Sequence, residues 1–229
     1  METTLITGAN RGIGLGLAKR FLSGGHRVIA TCRDPERAAE LDSLRGTGEM
    51  EVLALDVTDE SSVNELSERL EHERIDVLIN NAGVLGDHRN QSLDRMDYDL
   101  WRALFEVNTL APFRVLAALR NNLNRSDNPR VVTISARMAS FGRTDTGVHA
   151  YRSTKAALNK LMQVLSYELK EEGIIVCCVH PGWVQTDMSG GTGELTVDDC
   201  SDAIHEFARN LEMDQSGRFW TWAGEELSW

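Results

Sequence analysis

Basic charge is scarce in this chain. Lys and Arg number 24 against 35 Asp and Glu, a formal net charge of −11 over 229 residues. A nucleic-acid scaffold would show a basic face, so that class is excluded, and any anionic ligand has to be held by local basic groups and backbone dipoles. Cysteine is sparse and unpatterned: Cys32, Cys177, Cys178 and Cys200 show neither Cys-x-x-Cys nor metal-ligand spacing. Cys177 and Cys178 lie in the apolar run 174–179, where buried strand thiols are expected. The six histidines form no His-x-x-x-His pair, so no metal site is expected. No run reaches about 18 apolar residues, and the start Met1-Glu2-Thr3-Thr4 lacks a basic segment before an apolar one. A cytoplasmic protein without a membrane partner is the expectation. With four prolines, no composition shift and no internal repeat, nothing divides the chain.

What the sequence does have is alternation. Short β-branched runs at 3–7, 27–31, 51–55, 75–80, 130–135, 174–180 and 218–221 are separated by helical patterns at 13–23, 35–43, 61–72, 98–123, 149–172 and 197–210. That is the signature of parallel strands joined by crossover helices. It predicts one α/β domain over 1–229, a Rossmann-type doubly wound sheet of about seven parallel strands with helices on both faces. Thr196 with Asp199 makes a capping-box-like start for the last helix. Ligands of such folds sit beyond the carboxyl ends of the strands, and the distinctive residues fall there.

The first strand runs into Thr7-Gly8-Ala9-Asn10-Arg11-Gly12-Ile13-Gly14, and an amphipathic stretch with Leu17, Ala18, Phe21 and Leu22 follows. Strand, glycine turn and helix start place a pyrophosphate on free backbone N–H groups and the helix dipole. Glycine serves there because a Cβ would block the close approach. Tyr151 and Lys155 stand four apart, one above the other on a helix face. An ammonium beside a phenol favours the phenolate, so Lys155 is expected to lower the Tyr151 pKa for proton transfer near neutral pH.

Further polar turns follow the other strands. After the second come Cys32-Arg33-Asp34, where a site selecting NAD places an acid for the ribose 2′-hydroxyl. Here Cys32 takes that place and Arg33 follows. A guanidinium suits a 2′-phosphate, with Arg11 a second contact, so NADP(H) is expected over NAD(H). Asp56-Val57 is placed to bond an adenine edge, and Asn80-Asn81-Ala82-Gly83 makes a small-residue turn at the cofactor ribose. Asn108, in an apolar helical stretch, needs a polar partner if buried: a water, or Lys155. Pro181, Gly182, Val184 and Thr186 belong to a proline-glycine turn that brings a hydroxyl and backbone groups against a carboxamide or phosphate.

In their order and spacing, Gly-x-x-x-Gly-x-Gly, Asn-Asn-Ala-Gly, Tyr-x-x-x-Lys and Pro-Gly resemble the short-chain dehydrogenase/reductase family, in its compact single-domain branch. The stretches 151–159, 180–188 and 224–229 narrow this to carbonyl reductases similar to C-factor-like proteins. The resemblance implies NAD(P)(H)-dependent reduction of a small or medium aldehyde or ketone, or the reverse oxidation, and a homodimer or homotetramer. It makes Tyr151 the general acid, Lys155 its helper and a ribose ligand, and Asn108 the anchor of a relay water. One position departs. The family ends its fifth strand with two serines, the second bonding the substrate oxygen; this chain reads Ile134-Ser135-Ala136. Ser135, or Ser140 in the following loop, is left to supply the hydroxyl. A sensor of the same fold with little turnover is the alternative.

Overall fold

All five residues of β1 (Thr3–Thr7) are buried, the pattern of a strand covered on both faces rather than one. The computed structural model describes the whole chain, Met1–Trp229. In it β1 pairs in parallel with β2 (Arg27–Cys32) and β4 (Val77–Asn80). Beyond β2 lies β3 (Met50–Ala54); beyond β4 lie β5 (Arg130–Ile134), β6 (Ile175–His180) and β7 (Phe219–Thr221). The sheet is therefore doubly wound, with its order reversing between β1 and β4. It has eight strands rather than seven. The extra one, β8 (Glu226–Leu227), returns antiparallel on β7; two residues are too few to show a period.

Helices cover both faces. On one side, α1 (Gly12–Ser23) and α7 (Val197–Arg209) turn Leu17, Phe21, Ile204 and Phe207 onto a cluster containing Ile6, Val132 and Val179. On the other, α3 (Glu60–Arg69), α5 (Ala111–Leu123) and α6 (His149–Glu168) pack Leu66, Leu119 and Leu158 onto Leu5, Val131 and Cys178. Neighbouring strand residues fall in opposite clusters, as the period of two requires. Thr196 caps α7 by accepting from Asp199 N–H, but its hydroxyl donates to the Asp199 carboxylate, so the reciprocal half of a capping box is absent.

Two helical expectations are corrected. Residues 35–43 form a 3₁₀ turn (Pro35–Arg37) and a single α turn, α2 (Ala39–Asp42), rather than one helix. Residues 98–123 are interrupted: α4 (Tyr98–Phe105) passes through a π turn (Glu106–Leu110) into α5. The cause is legible in Pro112, which has no N–H to return to the carbonyl four residues earlier, that of Asn108. All four cysteines are buried and unpaired.

Behind α1 three rings meet edge to face: Phe21 lies 5.0 Å from His26 and 4.8 Å from His205. Burial lowers the His205 pKa to about 4, with Arg20 adding to it, and lowers His26 as well. A histidine whose folded pKa is depressed is protonated more readily when unfolded, so stability is full above about pH 6.5 and falls as pH drops toward 4. His205 alone is worth roughly 3 kcal/mol across that window. Denaturant midpoints measured from pH 7 to 4 should fall, and His205→Phe should flatten the decline; a parallel decline in the variant would refute the assignment.

Candidate active site

At the carboxyl edge of the sheet, two loops lock together. Thr7 Oγ1 accepts the N–H groups of Asn81 and Ala82, each at 3.0 Å. Asn81 Nδ2 donates back to the carbonyls of Thr7 (2.9 Å) and Gly8 (3.1 Å). Gly14 packs into this junction: a Cβ there would overlap the Gly8 carbonyl and come within 2.5 Å of Asn81 Nδ2. Gly12, at φ +53°, faces Thr186 across the cleft. The α1 N-terminus has Arg11 as its cap residue, with no side-chain capping bond and no acid in its first turn. Its N–H groups therefore remain free for an anion. Asn10 and Arg11 are exposed beside it, and Arg11 Nη1 reaches Asp187 at 3.4 Å.

The remaining polar turns line the same edge. Arg33 is exposed and makes no ion pair, whereas Asp34 faces Arg37 at 3.9 Å. Asp56 Oδ1 closes its own turn by accepting from Thr58 N–H at 2.9 Å. The Val57 carbonyl is held by Arg114 at 2.9 Å. Asn80 is 3% exposed, and its Oδ1 has no partner in the chain. Gly182 sits at φ +87°, where a side chain would overlap Leu195, and the buried Val184 follows. Pro181 O accepts from Cys200 Sγ, and Thr186 caps the short 3₁₀ turn Asp187–Ser189.

Tyr151 and Lys155 stand one turn apart on α6, and Lys155 is brought together with Asn108 and Gly83. A Cβ on Gly83 would lie 3.3 Å from Asn108 Oδ1 and 3.5 Å from Lys155 Nζ. Lys155 Nζ donates to the Ile134 carbonyl at 2.8 Å, and burial lowers its pKa to about 8. The expected lowering of Tyr151 is not found. Burial pushes its phenol up to about 12, because the desolvated phenolate has no donor beside it. Asn108, fully buried, neither turns toward Lys155 nor leaves its amide free. Nδ2 donates to Val84 O (2.8 Å) and Thr154 Oγ1 (3.2 Å), while Oδ1 accepts from Val84 N–H (2.9 Å).

Neither candidate serine has a free hydroxyl. Ser135 Oγ donates to Asn159 Oδ1 at 2.6 Å and is 2% exposed. Ser140 Oγ donates to the Ser228 carbonyl at 2.8 Å, tying the loop after β5 to the carboxyl-terminal segment. Ala136 itself is extended, so its methyl points opposite to Ser135.

Sequence reasoning missed Gln91. Wholly buried, it donates from Nε2 to Leu85 O (2.7 Å) and accepts the Tyr151 N–H on Oε1 (2.9 Å); its carbonyl accepts from His149 N–H (3.0 Å). It takes over the capping of α6, whose own cap residue, Val148, sits at φ +43°. That conformation is costly for a β-branched residue. A lone Gln in an irregular loop carries no periodic signal.

These residues fit a dinucleotide: an uncapped helix start, a cleft floored by glycines and an orphaned Asn80 oxygen. The family profile described as short chain dehydrogenase matches residues 2–195. C-signal of Myxococcus xanthus is 39% identical over 156 residues, 68% of this chain and 93% of that one. Carbonyl reductase Sniffer of D. melanogaster superposes with a TM-score of 0.94 at 29% identity, covering 100% of both chains. An NADPH-bound carbonyl reductase from chicken fatty liver superposes with a TM-score of 0.91 at 32% identity, covering 100% of this chain and 99% of that one. The chain belongs to the short-chain dehydrogenase family, as an NAD(P)-dependent oxidoreductase.

Proposed function

We propose that this protein reduces a small or medium aldehyde or ketone with NADPH, reversibly. The observation that carries the reading is the cluster of Lys155, Asn108 and Gly83 at the carboxyl edge, with Tyr151 one turn earlier on α6 and a helix start built for a pyrophosphate. When bound, the nicotinamide supplies the hydride. Gly8, Asn10, Gly12, Ile13 and Gly14 take the pyrophosphate at the α1 N-terminus. Asp56 and Val57 flank the adenine, and Asn80 to Gly83 face the ribose. Lys155 bonds the nicotinamide ribose hydroxyls, and Pro181, Gly182, Val184 and Thr186 support the carboxamide. The unpaired guanidinium of Arg33, with Arg11 beyond it, favours a 2′-phosphate.

The chemistry on the protein side is proton transfer. With its pKa pushed up to about 12, Tyr151 is protonated at neutral pH, the form a general acid needs to protonate the substrate oxygen. Lys155, at about 8, still carries its charge at pH 7; its ammonium bonds the Ile134 carbonyl and is left to the nicotinamide ribose rather than to the phenol. Asn108 holds the Gly83-Val84 segment in place, so any relay water must use its backbone carbonyl, which Pro112 leaves without an α-helical partner.

Homo-oligomerisation is proposed through exposed Leu110, Phe113, Val164 and Tyr167. Leu104 on α4 and Leu158 on α6 are 1% and 0% exposed and serve the core. Four unpaired cysteines suit a reducing cytoplasmic compartment.

Ala136 supports a second reading, a dinucleotide-binding sensor with little turnover, because loss of one oxyanion donor costs about 10²–10³ in rate. NADPH and NADH oxidation over a panel of aldehydes and ketones separates the two. The reductase reading expects wild-type turnover with NADPH favoured, and a gain in kcat for Ala136→Ser. Turnover only in Ala136→Ser, with cofactor bound by both forms, would establish the sensor.

A further inference from the structure

Among buried polar atoms that find no partner in the chain, two lie at the carboxyl ends of strands: Asn80 Oδ1 and His180 Nδ1. The first opens the Asn80-Asn81-Ala82-Gly83 turn assigned above to the ribose. The second has no role in the proton transfer above. His180 ends β6, directly before Pro181. One strand over, Ser135 N–H donates to Val179 O at 2.8 Å, which continues the Ile134–Val179 register and sets His180 beside Ser135. Residues paired in register point to one face, and Ser135 faces α6 through Asn159. His180 therefore projects on the α6 side, the side that supplies Tyr151 and Lys155.

Its surroundings point the same way. Arg137 and Arg143, in the loop after β5, lie near enough to depress its pKa, which burial already lowers to about 4. The Arg137–Ala139 turn in turn packs against α6. The imidazole thus lies between the end of β6 and the loop that packs on α6, and it is neutral at pH 7. Its backbone is fixed from the far side, where Trp222 N–H donates to His180 O at 2.8 Å. A buried ring nitrogen without a partner costs free energy unless something arrives to bond it.

We propose that His180 is a substrate-contacting residue whose Nδ1 hydrogen-bonds a second oxygen of the substrate, next to the carbonyl being reduced. The preferred substrates are then carbonyl compounds with an oxygen acceptor adjacent to the reacting centre. The reducing hydride and the Tyr151 proton still go to one carbonyl; the neighbouring oxygen only orients it. This rests on the reductase reading and narrows its substrate class.

The test compares His180→Leu with wild type on two matched probes, pentane-2,3-dione and pentan-2-one, with NADPH. A hydrogen bond to a neutral group predicts that the variant loses about tenfold in kcat/KM on the dione. On the monoketone it stays within about twofold, and its NADPH Kd and Tm stay near wild type. Equal losses on both probes would make His180 a general support of the cleft, and no loss on either would make its nitrogen a structural orphan. Either result overturns the proposal while the reductase reading stands. Absence of wild-type turnover with every carbonyl would remove both. His180→Asn keeps a donor and an acceptor and should recover most of the dione activity, which guards against a packing defect in the leucine variant.

Discussion

Tyr151→Phe should abolish carbonyl reduction, with kcat falling by about 10³ or more, while NADPH affinity changes little and Tm stays within a degree or two. The first expectation follows from the phenol being the general acid, a contribution of about 10²–10⁴. The second follows from geometry: with no group of the chain beside it, burial alone raises the phenol pKa. Removing an unpartnered hydroxyl costs the fold little. Rate and stability therefore separate in this one substitution. The pH profile supplies an independent check. Tyr151 remains protonated through neutral pH, so reductive kcat/KM should be flat from about pH 6 to 7. Above that it should decline as Lys155, lowered to about 8 by burial, loses its charge. Alcohol oxidation needs the phenolate and should rise over the same range. A reductive rate that climbs with pH would place the acid elsewhere, and retained turnover in Tyr151→Phe would end the assignment.

Gly14→Ala should be the most damaging small change in the cofactor cleft. The added methyl would overlap the Gly8 carbonyl and press on Asn81 Nδ2 and the Ala9 Cα at 3.0 Å. Two of these are backbone atoms in a junction held by four hydrogen bonds among Thr7, Gly8, Asn81 and Ala82. Relief requires moving α1 off the strand, which shifts the N–H groups that receive the pyrophosphate. Overpacking of this kind costs about 1–3 kcal/mol, and NADPH affinity should fall by tenfold or more. Isothermal titration with NADPH and a thermal melt on the same sample measure both. Gly25→Ala, at a position where a methyl meets nothing but φ is +83°, is the control: it should lower Tm without touching NADPH affinity. Unchanged affinity in Gly14→Ala would show that the loop bends freely and that its glycine answers to something other than packing.

Much of this architecture can be read from the chain because the signals are local. Each parallel strand is a short β-branched run, and Gly12, Gly14, Tyr151 and Lys155 sit at fixed offsets from strand ends or helix faces. What escaped depends on distant partners. Nothing in the sequence says that Asn108 spends its amide on Val84, 24 residues earlier. Nor does it say that Gln91 caps a helix 60 residues away. The Tyr151 pKa was misread for a related reason: spacing puts an ammonium on the same helix face, but the ammonium binds the Ile134 carbonyl, and desolvation decides the sign. The serine question was visible as a substitution at Ala136. Its outcome required Asn159 and Ser228, the partners that occupy the two neighbouring hydroxyls.

The π turn between α4 and α5 makes one window of this stretch tolerant of a change in length. Its bonds span five residues where an α-helix spans four, so removing one codon between Glu106 and Leu110 takes out a surplus residue and leaves α4 and α5 facing as they do. Trp101 would keep Ser153, which it reaches at 2.9 Å, and Leu104 would stay in the core. A deletion inside α4 has no surplus to absorb it and would turn what precedes it by about 100°. A gap in a sequence alignment is therefore at home in the π turn and out of place in α4.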